Sequence, residues 1–192
     1  IPCIATSNSR NENGELVFGM NDAFGIFSTF PGTLGLAAAV LGDQAAGGDA
    51  QLISDFAEAV RHEWTATGLR KGYMYMCDVV TDPRWQRIYG TFGEDPELVS
   101  DIIARLVAGL QLDELGRNSI ATTVKHFPGG GPRENGFDPH YAEGKWNCYP
   151  SAGSFEKYHL PPFRAAGRTS SFMPYYSAPS NKKSVVQQAD GL

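Results

Sequence analysis

The sequence predicts an α/β protein in which parallel strands alternate with helical crossovers. Short apolar runs that suit strands are separated by segments whose apolar residues recur with helical spacing. Hydrophobic residues make up 42% of the chain and charged residues 19%, a balance that favours a packed core over disorder. With 192 residues, the chain is long enough for one domain with such a core.

The first part of the chain is predicted to contain one strand and two helices. Residues 1–6 form a short apolar run that suits a buried strand, and residues 7–30 form a long loop. An Ala-rich segment at 31–41 predicts a small helix. The second helix is predicted to begin after Asp49 as its N-cap and to end at Gly68. Its apolar residues recur every four positions, at Leu52, Phe56, Val60 and Trp64.

The middle of the chain is predicted to continue with a strand, a loop and a third helix. Residues 73–78 (YMYMCD) are the strand candidate, and residues 79–94 follow as a loop. Three signals mark the helix start, because Asp95 suits the N-cap, Pro96 the first helical position and Glu97 the acidic first turn. The buried face of this helix is predicted from its apolar residues, which are Val99, Ile102, Ile103, Leu106, Val107 and Leu110.

The last part of the chain is predicted to add two strands and one helix. In order, they are a strand at 119–124, a long loop at 125–153, a helix at 154–166 and a strand at 169–174. Pro161 and Pro162 are expected to disturb the helix. The domain is expected to span residues 1–177, and the polar residues 178–192 are expected to form a loosely held tail.

Composition disfavours several classes of partner and cofactor. The net charge is −5 and the basic residues are scattered, so no nucleic-acid surface is expected. No run approaches the ~20 apolar residues of a membrane span and no signal peptide is recognised, so no membrane contact is expected and the compartment is left open. The spacing of Cys3, Cys77 and Cys148 suits neither a zinc site nor a disulfide framework. No phosphate-binding or dinucleotide-binding motif follows a strand, and no cofactor is expected.

Polar and aromatic residues collect just past the predicted strands, where parallel α/β proteins bind their ligands. These loops are expected to converge on one mouth. A sugar pocket combines charged hydrogen-bonding groups with aromatic walls. The candidate donors are Arg87, Lys125 and His126, the candidate acceptor is Asp78 or Asp82, and the candidate walls are Trp85, Tyr175 and Tyr176.

Each of these features also has a purely structural interpretation. Arg84 is expected to brace its loop by pairing with a nearby acid such as Asp82, and composition leaves Arg87 open between bracing and binding. Spacing alone favours an ordinary strand end for Lys125 and His126.

The other histidines carry no pattern that indicates chemistry. His62 falls on a predicted helix and is interpreted as a surface or packing residue, and His140 and His159 are assigned no role. The glycines at 129–131 are equally consistent with a simple turn.

Five short segments carry a recognisable pattern in a fixed order along residues 1–177. They are residues 1–8 (IPCIATSN), 30–38 (FPGTLGLAA), 81–96 (TDPRWQRIYGTFGEDP), 125–129 (KHFPG) and 160–176 (LPPFRAAGRTSSFMPYY). Each segment resembles a motif of glycoside hydrolase family 3. Any one match is weak, but five collinear matches are highly specific.

The resemblance implies a (β/α)₈ barrel that acts as a retaining exo-glycosidase, most often a β-glucosidase. A complete barrel needs about 250 residues, so the chain is expected to form a partial (β/α)₈ TIM-type barrel with parallel strands. By its motif, Arg87 resembles the sugar-binding arginine of the family. Lys125 and His126 resemble the paired ligands of the sugar hydroxyls, and Tyr176 matches a tyrosine near the nucleophile.

The sequence departs from the family pattern at several points. Asn8 stands where the family usually has an Asp that holds the hydroxyls of the terminal sugar, and Gln86 replaces a usual Gly. The family cleaves its substrate with an Asp nucleophile and a separate Glu acid/base. No motif of the nucleophile type occurs before Leu192, so both catalytic residues are expected to lie outside this chain.

Two rival interpretations remain open beside the β-glucosidase. The chain could be a non-catalytic carbohydrate-binding or assembly fragment, or part of an enzyme for another sugar such as a β-xyloside or β-N-acetylglucosaminide. Enzymes of the N-acetyl type usually carry a catalytic His-Asp loop, and residues 136–140 (GFDPH) are a caution on that point. The expected partner is a β-glucoside or oligosaccharide. Because four strands cannot close a barrel, association with a second copy or with the missing segments of the same enzyme is also expected.

Overall fold

The computed structural model describes residues 3–8, 11, 27–149 and 151–180. The described residues form six strands and four α-helices. In chain order they are β1 (Ala5–Ser7), α1 (Thr33–Ala45), α2 (Gln51–Thr67), β2 (Leu69–Gly72), α3 (Pro96–Gln111), β3 (Ala121–Phe127), β4 (Trp146–Cys148), α4 (Leu160–Ala165), β5 (Ser171–Pro174) and β6 (Ala178–Ser180). The first two residues of the predicted strand at 1–6 and most of the predicted loop at 7–30 lie outside the described residues.

Four strands form one parallel sheet in the order β1-β2-β3-β5. Helices α1 and α2 connect β1 to β2, α3 connects β2 to β3, and α4 lies between β3 and β5. The predicted α/β class with parallel strands is therefore confirmed. Because all four strands run in the same direction, their carboxyl ends lie along one edge of the sheet, which we call the carboxyl edge.

The second strand lies earlier than predicted, at Leu69–Gly72 instead of residues 73–78. Met74 and Cys77 are fully buried, but this segment contributes an isolated parallel bridge between Met76 and Lys125 instead of a continuous ladder. An apolar run that is buried on both faces has the same composition as a core strand. The prediction of a strand at 73–78 was therefore wrong. This run is buried in the core, and the hydrogen-bonded ladder lies just before it, at Leu69–Gly72.

The third strand extends further than the predicted range of 119–124 and ends at Phe127. Lys125 and His126 consequently belong to the strand itself, and the register pairs Lys125 with Met173 of β5. A strand position fixes the direction of a side chain more firmly than a loop position does.

A second, two-stranded sheet joins β4 to β6 in parallel, with Trp146 opposite Ala178. The loop predicted at 125–153 thus contains a strand, which was too short to show a period-2 pattern. Strand β6 lies just past the expected domain boundary at residue 177, and that boundary stays a prediction. Residues 181–192 of the expected tail lie outside the described residues.

Helix α2 ends at Gly68, as predicted, because glycine adopts the left-handed conformation found there, with φ of 87°. Its start differs slightly from the prediction. The N-cap position is held by Ala50, and Asp49 instead accepts a hydrogen bond from the backbone N–H of Gln51 at 3.1 Å.

Helix α3 confirms both its predicted start and its predicted buried face. The carboxylate of Asp95 accepts hydrogen bonds from the backbone N–H groups of Glu97 and Leu98. The six apolar residues predicted to face the core are all buried. They pack with Phe56, Val60 and Trp64 of α2, and each such side chain contributes about 1.5–3 kcal/mol by leaving water.

The helix predicted at 154–166 is divided. A π-helical turn at Phe155–His159 precedes α4, whose first turn contains Pro161. This agrees with the expected disturbance, since proline lacks the N–H that a helix interior requires.

Candidate functional site

A pocket of about 180 Å³ opens at the carboxyl edge of the sheet. All five residues predicted for the site line it. These residues are Asn8 after β1, Arg87 after β2, Lys125 and His126 in β3, and Tyr176 after β5. The pocket wall also includes Tyr73, His140, Met173, Pro174 and Tyr175. Parallel strands thus bring together residues that are far apart in the sequence.

Lys125 and Asn8 meet inside this pocket. The Lys125 Nζ donates a hydrogen bond to Asn8 Oδ1 at 2.7 Å, and Lys125 is 4% exposed. Because the amide of Asn8 is neutral, this contact orients the ammonium group without neutralising its charge. Lys125 therefore presents a buried positive charge at the pocket wall.

His126 is held from behind by Asp78. The Oδ2 of Asp78 accepts hydrogen bonds from the backbone N–H and from Nδ1 of His126, both at 3.1 Å. Its Oδ1 accepts a short hydrogen bond from the backbone N–H of Gly130. Burial opposes ionisation of Asp78, but its contacts with His126, the hydrogen bond from the Gly130 N–H and the charge of Arg87 outweigh burial and lower the pKa of the carboxyl.

The imidazole of His126 is neutral in this setting. Burial lowers the pKa of His126, and this effect outweighs the opposing influence of Asp78. With the proton on Nδ1, the ring presents Nε2 as an acceptor, and Arg87 Nη1 lies 3.4 Å from it.

Arg87 is buried and bonded to Tyr175. Its Nη1 donates to the Tyr175 hydroxyl at 3.1 Å, and the Tyr175 ring stacks on His126 with centroids 4.3 Å apart. Burial opposes the guanidinium charge, but Tyr175, Asp78 and Asp138 together raise the pKa of Arg87. Burial also raises the pKa of Tyr175, so its hydroxyl keeps its proton and can donate as well as accept.

The Tyr175 hydroxyl donates a hydrogen bond to Asp138, a buried carboxylate in the loop between β3 and β4. The Oδ2 of Asp138 accepts from the Tyr175 hydroxyl at 3.1 Å and from Trp85 Nε1 at 3.0 Å. Its Oδ1 accepts from the backbone N–H of His140 at 3.0 Å and from His140 Nδ1. Burial opposes ionisation here too, but hydrogen bonds from His140 and Trp85 and the charge of Arg87 lower the pKa of Asp138.

The aromatic residues divide into one buried group and one exposed wall. Tyr176 is 72% exposed and stands at the rim of the pocket, and Tyr175 lines the interior. Trp85 is 1% exposed and does not line the pocket, so its predicted role as a wall was wrong. It lies beneath the pocket because its indole N–H needs the buried acceptor that Asp138 provides.

The acids considered as sugar acceptors are both engaged elsewhere. Asp78 is fully buried behind His126, and Asp82 pairs with Arg84 at 2.6 Å. The interpretation of Arg84 as a loop brace is therefore confirmed.

The glycines at 129–131 allow a close approach between the loop and the rest of the site. A β-carbon at Gly131 would overlap the carbonyl oxygen of Val79, and one at Gly130 would overlap the Tyr175 ring. These positions leave no room for a side chain, so the glycines do more than form a simple turn.

Sequence reasoning missed Asp138, His140 and Arg133. Asp138 binds the backbone N–H two residues ahead, and such an Asx turn is a signal that the Asp-Pro-His sequence carries. Arg133 is buried, and its Nη2 donates to the carbonyl oxygens of Gly144 and Trp146. Nothing in the periodicity of the sequence distinguishes it from a surface arginine.

Within the part of the chain that the structure describes, no group of three or more His, Cys, Asp or Glu side chains is arranged to hold a metal ion. None of the described helices combines the length and the apolar character needed to cross a membrane.

The model of the glycosyl hydrolase family 3 N-terminal domain matches residues 13–173 of the sequence. The chain belongs to this family. Beta-glucosidase C of Emericella nidulans is 42% identical over 182 residues, which cover 93% of the family 3 chain and 28% of that enzyme. The periplasmic beta-glucosidase/beta-xylosidase of Dickeya chrysanthemi is 36% identical over 181 residues, which cover 92% of the chain and 26% of that enzyme. The chain thus spans less than a third of the length of these relatives.

Solved structures of family members share the fold. The beta-glucosidase from Listeria innocua in complex with glucose superposes with a TM-score of 0.68 and 27% identity, over 81% of this chain and 21% of that chain. The exo-1,3/1,4-beta-glucanase from a Pseudoalteromonas species gives a TM-score of 0.71 and 25% identity, over 95% of this chain and 21% of that chain. The expected TIM-barrel-like fold is therefore confirmed, and four of the described strands pair side by side in the order β1-β2-β3-β5.

Proposed function

We propose that this family 3 chain supplies the sugar-binding part of a retaining β-glycosidase that releases terminal, non-reducing β-D-glucosyl residues. The observation that carries the proposal is the pocket in which Asn8, Arg87, Lys125, His126 and Tyr176 converge. It lies at the carboxyl edge of the sheet, where TIM-barrel enzymes bind their substrates.

The chemistry of the pocket suits a neutral ligand with many hydroxyls. Lys125 and Arg87 are buried charged donors, and hydrogen bonds from such donors are stronger than those from neutral groups. The exposed ring of Tyr176 offers a flat apolar face for the C–H side of a sugar ring. This combination favours a pyranoside over a wholly apolar ligand.

The relatives support the same substrate class. The Listeria innocua beta-glucosidase has been solved in complex with glucose, and a mutant of it in complex with laminaribiose. The Emericella nidulans and Dickeya chrysanthemi relatives are named for β-glucosidase activity.

We assign binding and orientation of the sugar to the described residues, and bond cleavage to residues elsewhere in the longer enzyme. A retaining mechanism needs two carboxyl groups about 5–5.5 Å apart on either side of the scissile bond. Asp78 and Asp138 are both buried and are both held by several hydrogen bonds from protein groups. Neither carboxylate therefore offers the exposed oxygen that a nucleophile requires.

A β-xyloside is the second candidate substrate, because the Dickeya chrysanthemi relative is named as both a β-glucosidase and a β-xylosidase. Xylose presents the same ring hydroxyls as glucose and lacks the hydroxymethyl group. The two substrates should be compared directly as 4-nitrophenyl glycosides. Association with a second copy of the chain stays a prediction.

The proposal is tested by replacing Lys125 with Ala in the longer enzyme that contains this chain. We expect kcat/KM for 4-nitrophenyl β-D-glucoside to fall about 10- to 100-fold, because a charged donor to a hydroxyl contributes about 1.5–3 kcal/mol. Lys157→Ala is the matched control, since Lys157 is exposed and does not line this pocket.

Two results would contradict the proposal. A wild-type kcat/KM in Lys125→Ala would show that this lysine does not bind the sugar. Turnover by residues 1–192 alone would refute the division between sugar binding in this chain and bond cleavage elsewhere. A longer enzyme that binds glucose but hydrolyses neither glycoside would instead favour the non-catalytic alternative.

A further inference from the structure

Tyr73 lines the pocket, and the proposed function leaves it without a role. It is the first residue after β2, at the start of the run that the sequence predicts as a buried strand. The next five residues, 74–78, are buried, whereas Tyr73 is 38% exposed. A large aromatic side chain therefore reaches the cavity from a segment that otherwise belongs to the core.

The backbone of Tyr73 is bonded to the end of β1, just before Asn8. Its N–H donates to the carbonyl oxygen of Ser7 at 3.0 Å, one residue past the pairing of Ser7 with Gly72. Asn8, the next residue along β1, accepts the hydrogen bond from Lys125 Nζ at 2.7 Å. Tyr73 thus projects from a paired strand end, which fixes its direction more firmly than a free loop does.

The order of the strands places Tyr73 and Tyr176 on opposite sides of the binding lysine. Tyr73 follows β2 and Tyr176 follows β5, and β3, which carries Lys125 and His126, lies between those two strands. All four side chains line the same cavity. A sugar held by Lys125 and His126 therefore has one tyrosine on either side.

The hydroxyl of Tyr73 is available to a ligand. Within the described part of the chain, the only hydrogen bond of Tyr73 is the one made by its backbone N–H, whereas the Tyr175 hydroxyl is held by Arg87 and Asp138. A phenol both donates and accepts, but the side chains of Lys125 and Arg87 only donate. A sugar hydroxyl that accepts from one of these cations still has a proton to give, and the oxygen of Tyr73 can accept it.

We infer that Tyr73 is a further specificity-determining residue, whose hydroxyl forms a hydrogen bond with one hydroxyl of the terminal sugar. The inference rests on the proposed function and deepens it. A sugar that lacks this hydroxyl leaves the phenol without a partner in the occupied pocket and binds more weakly. The pocket thereby distinguishes the fully hydroxylated glucoside from one of its deoxy analogues.

The experiment compares wild type with Tyr73→Phe in the longer enzyme. The substrates are 4-nitrophenyl β-D-glucoside and its 2-, 3-, 4- and 6-deoxy analogues. We expect Tyr73→Phe to lower kcat/KM for the glucoside about 5- to 10-fold, the effect of one neutral hydrogen bond. For one deoxy analogue, wild type and variant should agree within about twofold, and that analogue identifies the hydroxyl. Because no described residue bonds to the phenol, the melting temperature should stay within about 1 °C of wild type.

Tyr141→Phe is the matched control, since Tyr141 is 56% exposed and does not line this pocket. Its kinetics and melting temperature should both match wild type. An equal loss on every deoxy analogue in Tyr73→Phe would overturn the inference, because the hydroxyl would then act through the shape of the pocket. So would a melting temperature lowered by several degrees, because the hydroxyl would then be bonded within the protein.

The Lys125→Ala variant separates this inference from the proposed function. Wild-type kinetics of Tyr73→Phe while Lys125→Ala is impaired would overturn the inference and leave the proposed function standing. Wild-type kinetics of Lys125→Ala would instead overturn the proposed function.

Discussion

Tyr175→Phe is the most informative single change, because it removes one oxygen atom from the centre of the site. The Tyr175 hydroxyl accepts from Arg87 Nη1 and donates to Asp138 Oδ2, each at 3.1 Å. The ring remains, and with it the stacking on His126. The substitution therefore removes two hydrogen bonds to charged groups without creating a large cavity.

The expected loss of stability depends on the hydrogen bonds that Asp138 and Arg87 retain without the Tyr175 hydroxyl. Asp138 retains the hydrogen bonds from Trp85 and His140, so its loss is small. Arg87 keeps a long contact of 3.4 Å with His126 Nε2 and bears most of the loss. A hydrogen bond to a charged group contributes about 1.5–3 kcal/mol, so we expect the enzyme to lose about 2 kcal/mol of stability.

The functional effect should appear in the same variant. Because Arg87 loses its hydrogen bond to Tyr175, we expect kcat/KM for 4-nitrophenyl β-D-glucoside to fall about tenfold, which corresponds to about 1.4 kcal/mol. The melting temperature and the kinetics of the longer enzyme are both measured, with Tyr141→Phe as the control, since Tyr141 is 56% exposed on the same loop. Wild-type values for both quantities in Tyr175→Phe would refute the idea that this hydroxyl positions Arg87.

Two further predictions concern folding. Gly131→Ala should prevent correct folding, because its β-carbon would overlap the carbonyl oxygen of Val79. The control Gly116→Ala should be tolerated, because its β-carbon meets nothing within 4 Å. Soluble expression and circular dichroism of both variants test this prediction, and a well-folded Gly131→Ala would contradict it. Burial lowers the pKa of His159 to about 4, so the folded state resists a proton that the unfolded chain accepts, and stability should fall as the pH drops from about 6.5 toward 4. His159→Leu should remove up to about 3 kcal/mol of this acid destabilisation. The melting temperature of this variant should therefore depend less steeply on pH than that of wild type or of the control His62→Leu. An unchanged slope would contradict the role assigned to His159.

Much of the fold was predictable because its signals are local. The start of α3 depends on Asp95 and Pro96, which are adjacent in the sequence and act on the same helical turn. The end of α2 depends on the conformational freedom of Gly68. The second strand was misplaced because pairing in a sheet depends on partners that are distant in sequence, and the apolar run at 73–78 does not reveal them.

The pocket was predictable to the extent that its residues follow strands. Lys125 and His126 end a recognisable strand, and all five predicted residues line one cavity. Asp138 and His140 were missed because they lie in a loop without periodicity, and their position depends on contacts with Trp85 and Tyr175 from other parts of the chain. Trp85 was misjudged for the same reason, since composition cannot reveal which face of an aromatic residue is covered.

Carboxylates and cations lie next to one another around the pocket, which explains why several charged side chains can be buried there together. Among the described residues near Tyr175, two carboxylates, Asp78 and Asp138, face the three cations Arg87, Arg133 and Lys125. Buried charges are tolerated when they are paired, so the two carboxylates lower the cost of burying the cations that surround them. The retaining mechanism proposed for the longer enzyme would bring a further carboxylate, its nucleophile, to the same group of cations.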